Sequence, residues 1–318
     1  MTVGASHPRD PWSVILPVTI GTVLGMDIVR AGVLDVAFEQ YGSRTGWPVV
    51  LLHGFPYDPR CYDDVAPALA DAGAQVVVPY LRGYGPTRFV DPATPRSGQQ
   101  AALAHDLLAL IDALGLDRPV VAGYDWGGRA ACLVAALWPE KVRGLLTVDG
   151  YNVQDIAASG VPATPEVEHA YWYQYYLHGE RGRAGLRTHR AQFARLLWQQ
   201  WSPRWSFSDA QFSATAASFD NPDFVDVVVH SYRHRYGLVA GDPAYEATEQ
   251  RIAAQPTIDV PTVVVDSTLD GLGPPDDVAE HERHFSRLLG RHLLDVGHNP
   301  PQEDPGAFVQ ALLPLAGT

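Results

Sequence analysis

The sequence predicts a mostly parallel, doubly wound α/β sheet carrying a helical insertion. Three observations point there. Short, nearly continuous apolar runs each end in a glycine-bearing turn, as strands covered on both faces do. Helix-period stretches lie between these runs, and strand alternating with helix builds βαβ units. Residues 151–256 then break the rhythm: they are rich in tyrosine, tryptophan and arginine and read as helical.

Taken in order, "WSVILPVTIGTVLGM" (12–26) is broken by Pro17, Gly21 and Gly25 and is too short to cross a bilayer. No small-residue cleavage site precedes Asp27, so residues 1–25 read as an N-terminal arm on the core. Residues 26–42 alternate apolar and polar around Ala31-Gly32, as a hairpin does. "PVVLLHG" (48–54), "AQVVVPYLRG" (74–83) and "RPVVAGYD" (118–125) are the next strands. "QQAALAHDLLALIDALG" (99–115) puts Leu103, Leu107, Leu110, Ile111 and Leu114 on one helical face and stops at Gly115. "GRAACLVAALWPE" (128–140) is a small-residue helix ended by Pro139, and "VRGLLTVDG" (142–150) is the sixth strand. In the stretch that follows, Phe224, Val228 and Tyr232 share a helical face. "VPTVVVDS" (260–267) and "RHLLDV" (291–296) are strands seven and eight. The expected organisation is a core of residues 26–150 and 257–318 with a helical cap, 151–256, between strands six and seven. That cap would cover the carboxyl edge, where open α/β sheets bind ligands.

The composition narrows the partners. With 318 residues, 46% of them hydrophobic, the chain can build a sizeable core. A formal net charge of −13 argues against nucleic acid and anionic membrane. Cys61 and Cys132 form no CxxC and no metal-like cluster, so they read as small buried hydrophobes and fit a cytoplasmic location.

The chemistry gathers at "GYDWGG" (123–128), a strand-to-helix elbow of the G-x-nucleophile-x-G form with Asp125 in the nucleophile position. The plain alternative is that Asp125 merely caps the helix. Two further segments weigh against it. "HGFP" (53–56) ends an earlier strand, with His53 read as a structural brace, and "DVGHNPPQEDP" (295–305) follows the last strand and offers His298 after Gly297. The order nucleophile, acid, histidine then asks for an acid past strand seven. Asp270 is favoured because it lies in the loop followed by Gly271; Asp266 at the strand end and Asp149 after strand six are the alternatives.

Together HGFP, GYDWGG, the acid loop and GHNPPQE resemble the α/β-hydrolase superfamily over residues 26–315, most nearly its epoxide hydrolase branch, with haloalkane dehalogenases next. The resemblance implies an aspartate nucleophile, Asp125, followed by Trp126. It implies His298 with Glu303 five residues on, and a Pro56 that is often cis. It nominates the main-chain N–H groups of Phe55 and Trp126 as the oxyanion hole, each worth ~3–4 kcal/mol. Epoxide hydrolases carry two cap tyrosines in "YQ" and "YR" contexts; here these are Tyr173 before Gln174 and Tyr232 before Arg233. Departures are Tyr80 in "PYLRGYG" where aspartate is usual, Tyr124 before the nucleophile, and "STLDG" in the acid loop.

A carboxylate nucleophile suits displacement at saturated carbon, because it forms an ester that water can cleave at the enzyme's own carbonyl. The expected reaction is hydrolysis of an apolar or aromatic epoxide to a vicinal diol, with no cofactor or metal. The alternative is a haloalkane or haloacid dehalogenase on the same triad, with Trp126 and one of the cap tryptophans Trp172, Trp198, Trp201 or Trp205 at the halide. Arg129 stands where haloacid dehalogenases keep a carboxylate-binding arginine; a helix-surface arginine is the plain alternative. A non-catalytic ligand-binding protein of this fold is the remote one.

Overall fold

The computed structural model describes residues 25–318. The expected N-terminal arm lies outside the described residues, Gly25 excepted. Among the described residues nine strands form one sheet: β1 Met26–Ala31, β2 Leu34–Tyr41, β3 Trp47–Leu52, β4 Ala74–Pro79, β5 Arg88–Phe89, β6 Val120–Gly123, β7 Gly144–Val148, β8 Thr262–Ser267 and β9 Leu288–Leu294. The order is β1-β2-β4-β3-β6-β7-β8-β9, with the two-residue β5 paired to β2. β1, β2 and β4 run antiparallel in turn; from β4 through β9 the pairs are parallel. β6, β7 and β8 are buried at every residue, the physical reason their sequences are apolar runs and not alternations.

The helices are α1 Val65–Asp71, α2 Gln100–Leu114, α3 Asp125–Leu137, α4 Pro165–Ala170, α5 Trp172–His178, α6 Glu180–Trp201, α7 Asp209–Ala216, α8 Phe224–His234, α9 Glu246–Ile252, α10 Val278–His284, α11 Pro300–Glu303 and α12 Pro305–Leu312. α2 packs on α3, and α1 on α12. α2 stops where its sequence said it would, at Gly115 in the left-handed region (φ +61°). No helix among the described residues is long and apolar enough to cross a membrane.

Two differences from the sequence reading have simple causes. The last strand runs Leu288–Leu294 and not 291–296, because it pairs along the whole of β8 from Thr262 to Ser267. Helices α1 and α10 carry seven residues each, too short for a periodic signal. Because β5 adds one strand to the count, α4 to α9 fall in sequence between β7 and β8.

The last turn of α6 and the segment 215–218 join this insertion to the sheet's loops. Trp198 Nε1 donates to the Pro56 carbonyl at 3.0 Å. Asp58 accepts from Thr215 Oγ1 at 3.0 Å and Ser218 Oγ at 2.6 Å. The amides of Gly271 and His298 both donate to the Trp201 carbonyl, at 3.0 and 3.2 Å.

Candidate active site

Parallel neighbours bring the chemistry to one edge. In register, Leu52 of β3 stands beside Gly123 of β6, and Gly123 beside Thr147 of β7. The loop after β3 therefore lies against the β6–α3 elbow, with the ends of β7 and β8 following. At the elbow Asp125 takes φ +49°, a left-handed conformation rare for a residue with a side chain. Such a strained turn holds a nucleophile out of the helix. It also needs a bare backbone nearby: a Cβ on Gly127 would lie 2.0 Å from the Leu52 carbonyl oxygen.

Phe55 N–H donates to Asp125 Oδ1 at 2.7 Å, and the Phe55–Pro56 bond is cis. His298 Nε2 lies 3.9 Å from Asp125 Oδ2, while its Nδ1 is 2.6 Å from Asp270 Oδ2. Asp270 is thus the carboxylate that holds the imidazole ring. Asp266 is not: it is fully buried and paired with His281 at 3.0 Å and Arg291 at 2.5 Å. Asp149 offers an oxygen within 4.8 Å of Asp270 and His298 and accepts the Ser267 amide at 2.8 Å. Burial and the charge of Asp270 push the Asp149 carboxyl well above the usual range. These three residues are of metal-ligating types. Nδ1 of His298 is committed to Asp270, an arrangement that serves acid–base chemistry.

Burial works to lower the His298 pKa, but the carboxylates of Asp270 and Asp125 outweigh it and lift it to about 9. At neutral pH the ring is an imidazolium between two carboxylates. Glu303 fixes its loop, accepting the Gly297 amide at 2.7 Å, the Asn299 amide at 3.1 Å and Ser202 Oγ at 2.6 Å. Ser202, at the end of α6, also accepts the His298 amide at 3.1 Å; sequence reasoning missed it, because a lone serine after a helix gives no signal. His53 is a brace: its Nε2 accepts the Leu81 amide at 3.1 Å, its Nδ1 faces the Gly54 carbonyl at 3.0 Å, and burial pulls its pKa down to about 4.

Tyr173 and Tyr232 come together from α5 and α8, ring centroids 5.3 Å apart and edge to face. Tyr232 also meets Phe55 at 5.4 Å and Trp126 at 6.1 Å. Gln174 Nε2 donates to Tyr173 Oη at 3.0 Å, which leaves that hydroxyl hydrogen free, and Tyr232 Oη has no partner among the described residues. Burial raises the pKa of both phenols, so both keep their protons. Trp172 is placed otherwise: its indole N–H goes to Gln200 at 3.0 Å and its ring packs on Phe193 and Tyr176. The two unusual tyrosines also find places. Tyr80 donates to Glu39 at 3.1 Å, and Tyr124 stands edge to face with His298 at 6.1 Å.

Two cavities reach this edge. One of about 210 Å³ is lined by Asp125, Arg129, Asp149, Tyr171, Asp270 and His298, among others. One of about 580 Å³ adjoins it, sharing Arg129 and Tyr171. Tyr173 and Tyr232 line neither.

The family model for the alpha/beta hydrolase fold matches residues 48–305. The chain belongs to the α/β hydrolase fold family. Within this family its relatives place it in the epoxide hydrolase branch. A Klebsiella pneumoniae crystal structure, provisionally assigned as an epoxide hydrolase, is 46% identical with a TM-score of 0.89, covering 92% of this chain and 97% of that one. Epoxide hydrolase A of Mycobacterium tuberculosis is 37% identical over 127 residues, 40% of this chain and 35% of that protein. Epoxide hydrolase 3 of Siraitia grosvenorii is 33% identical over 124 residues, 39% of this chain and 37% of its own length. These matches span little more than a third of the two curated relatives. The α/β hydrolase fold carries other reactions too: a Salmonella enterica structure provisionally assigned as an acyltransferase is 25% identical with a TM-score of 0.76, covering 92% of this chain and 94% of that one.

Proposed function

We propose that this chain hydrolyses an epoxide to a vicinal diol through an ester on Asp125. The observation that carries the reading is the pair Tyr173 and Tyr232, two buried phenols beside Phe55 and Trp126 with hydroxyl hydrogens not committed elsewhere. A leaving oxygen needs such donors; a leaving halide does not need phenol protons.

In the first half, an Asp125 oxygen bonds to an epoxide carbon as that carbon's bond to the ring oxygen breaks. The electron pair leaves on that oxygen, which takes a proton from a tyrosine. In the second half, His298 takes a proton from water, and the water oxygen attacks the Asp125 carbonyl. The Phe55 amide is positioned for the resulting oxyanion, with the Trp126 amide as its expected partner. Collapse expels the alkoxide, which takes the proton of the new carboxyl group to give the diol and leaves the Asp125 carboxylate and the His298 imidazolium as they began.

The resting imidazolium fits this order. Esterification removes the charge of Asp125, one of the carboxylates holding the His298 pKa up, so the ring can pass its proton to the tyrosinate left by the first half and then act as the base.

Tyr173→Phe and Tyr232→Phe should each slow ester formation by roughly 10²–10³-fold, as loss of one preorganised donor does, and slow ester hydrolysis much less. Stopped-flow tryptophan fluorescence separates the two steps. Unchanged alkylation in both variants would remove the tyrosines, and with them the preference for an epoxide.

One observation favours a second reading. The indole N–H groups of Trp126 and Trp201 are buried without partners among the described residues, as a halide pair would be. Halide release from bromoalkanes, with no diol formed from epoxides of matched size, would make this chain a dehalogenase.

A further inference from the structure

Two arginines beside the site lack the partners this protein gives its other buried arginine. Arg82, 1% exposed, makes two 2.6 Å bonds to Asp106 and two more to the Ser97 and Ala102 carbonyls. Arg235, 7% exposed, has no carboxylate among the described residues. Among the described residues its one side-chain hydrogen bond is a 3.3 Å contact with Ser231 Oγ, and its Nε is buried without a partner. Arg129 Nε is likewise buried without a partner among the described residues. Both side chains line the 580 Å³ cavity, and Arg129 also lines the smaller cavity that holds Asp125 and His298. The two acids at the larger cavity are engaged elsewhere: Asp155 accepts the Ala158 amide, and Glu168 accepts the Ala163 amide and the Tyr175 hydroxyl.

Two neighbouring like charges largely out of water, neither of them in an ion pair with a carboxylate among the described residues, are costly. Burial and the neighbouring Arg235 push Arg129 down to about 10, which still leaves it charged at neutral pH. Arg235 is held in place by Tyr232, its guanidinium carbon 4.2 Å from that ring's centroid. Planar N–H forks of this kind match a carboxylate. Arg129 follows Asp125 by one helical turn, ~6 Å along α3, so one small molecule can touch both. The chain as a whole repels anions at −13, and an anionic substrate needs a local cationic site of this sort.

We propose that Arg129 and Arg235 together bind a carboxylate on the substrate, so that, granted the epoxide reading, the substrate is an epoxy acid and not the apolar epoxide the aromatic cap suggested.

The test compares charged and neutral pairs. Cinnamate and cinnamamide, which lack the epoxide, are titrated calorimetrically into the wild-type protein. 3-Phenylglycidate and its amide are compared by kcat/KM. The expected result is a carboxylate preference of about 10- to 100-fold in both measurements, the range for a hydrogen bond to a charged group. In Arg235→Met and Arg129→Met the preference ratio should collapse towards one. Arg235→Lys, which keeps the charge but loses the fork, serves should the methionine variant fail to fold. A wild-type protein that does not distinguish cinnamate from cinnamamide overturns the site, as does a preference that survives both substitutions. Turnover of neutral epoxides with no carboxylate preference leaves the epoxide reading standing and ends this one. Arginine-dependent cinnamate binding with no epoxide turned over does the reverse.

Discussion

Asp125→Asn is expected to lower epoxide turnover by roughly 10⁴-fold or more, as removal of a nucleophile from a concerted triad does. The elbow makes the effect specific. The asparagine keeps the size and the acceptor oxygen that meets the Phe55 amide, so the left-handed turn and the packing around Gly127 need not change. What is lost is the charge and the ability to form an ester. A second readout follows from electrostatics. Without Asp125, His298 loses one of the groups that raise its pKa, so its titration should move down from about 9. NMR of the imidazole measures this. Full activity in freshly purified, sequence-verified protein would exclude Asp125 as the nucleophile, and an unmoved His298 titration would show that the two do not interact.

His298→Gln should separate the halves of the reaction. Ester formation does not need a base, so the variant should alkylate once and stop, with kcat reduced roughly 10²–10⁴-fold, the usual worth of a general base. Intact mass should rise by the mass of the epoxide and stay there. The geometry supports this role: Nδ1 is anchored on Asp270 at 2.6 Å, and Nε2 faces Asp125 from 3.9 Å with no hydrogen-bond partner among the described residues. A fully active variant, or one that never alkylates, would remove His298 as the water-activating group. The same ring bears on stability. Its pKa in the folded chain lies above the unfolded value of ~6.5, so its contribution is complete below about pH 6.5 and is lost as pH rises through about 9.

What the sequence made legible follows from short-range physics. The apolar runs of β6, β7 and β8 were readable because both their faces are covered. The elbow was readable because its glycines answer to one backbone crossing, and Gly115 because it ends α2 in a left-handed turn. Asp270 could be preferred over Asp266 only on loop position. The deciding fact is that Asp266 is taken by His281 and Arg291, neither near it in sequence. Arg235 was invisible for the same reason. The insertion is rich in arginine, and only the fold tells one that is paired, such as Arg233 with Glu180, from one that is not. Trp172 was one of four cap tryptophans open to the site, yet its N–H is spent on Gln200. For Asp266, Arg233 and Trp172 the missing information was a partner more than a dozen residues away; for Arg235 it was the lack of a carboxylate partner among the described residues.

The central claim is that a protein carboxylate, not water, opens the ring. A single turnover in H₂¹⁸O with enzyme in excess tests it directly. If Asp125 attacks, the first diol released carries no ¹⁸O, and peptide mapping finds the label in the Asp125 carboxyl group. If the diol carries ¹⁸O after one turnover and Asp125 does not, water attacked the epoxide itself and the ester mechanism is wrong.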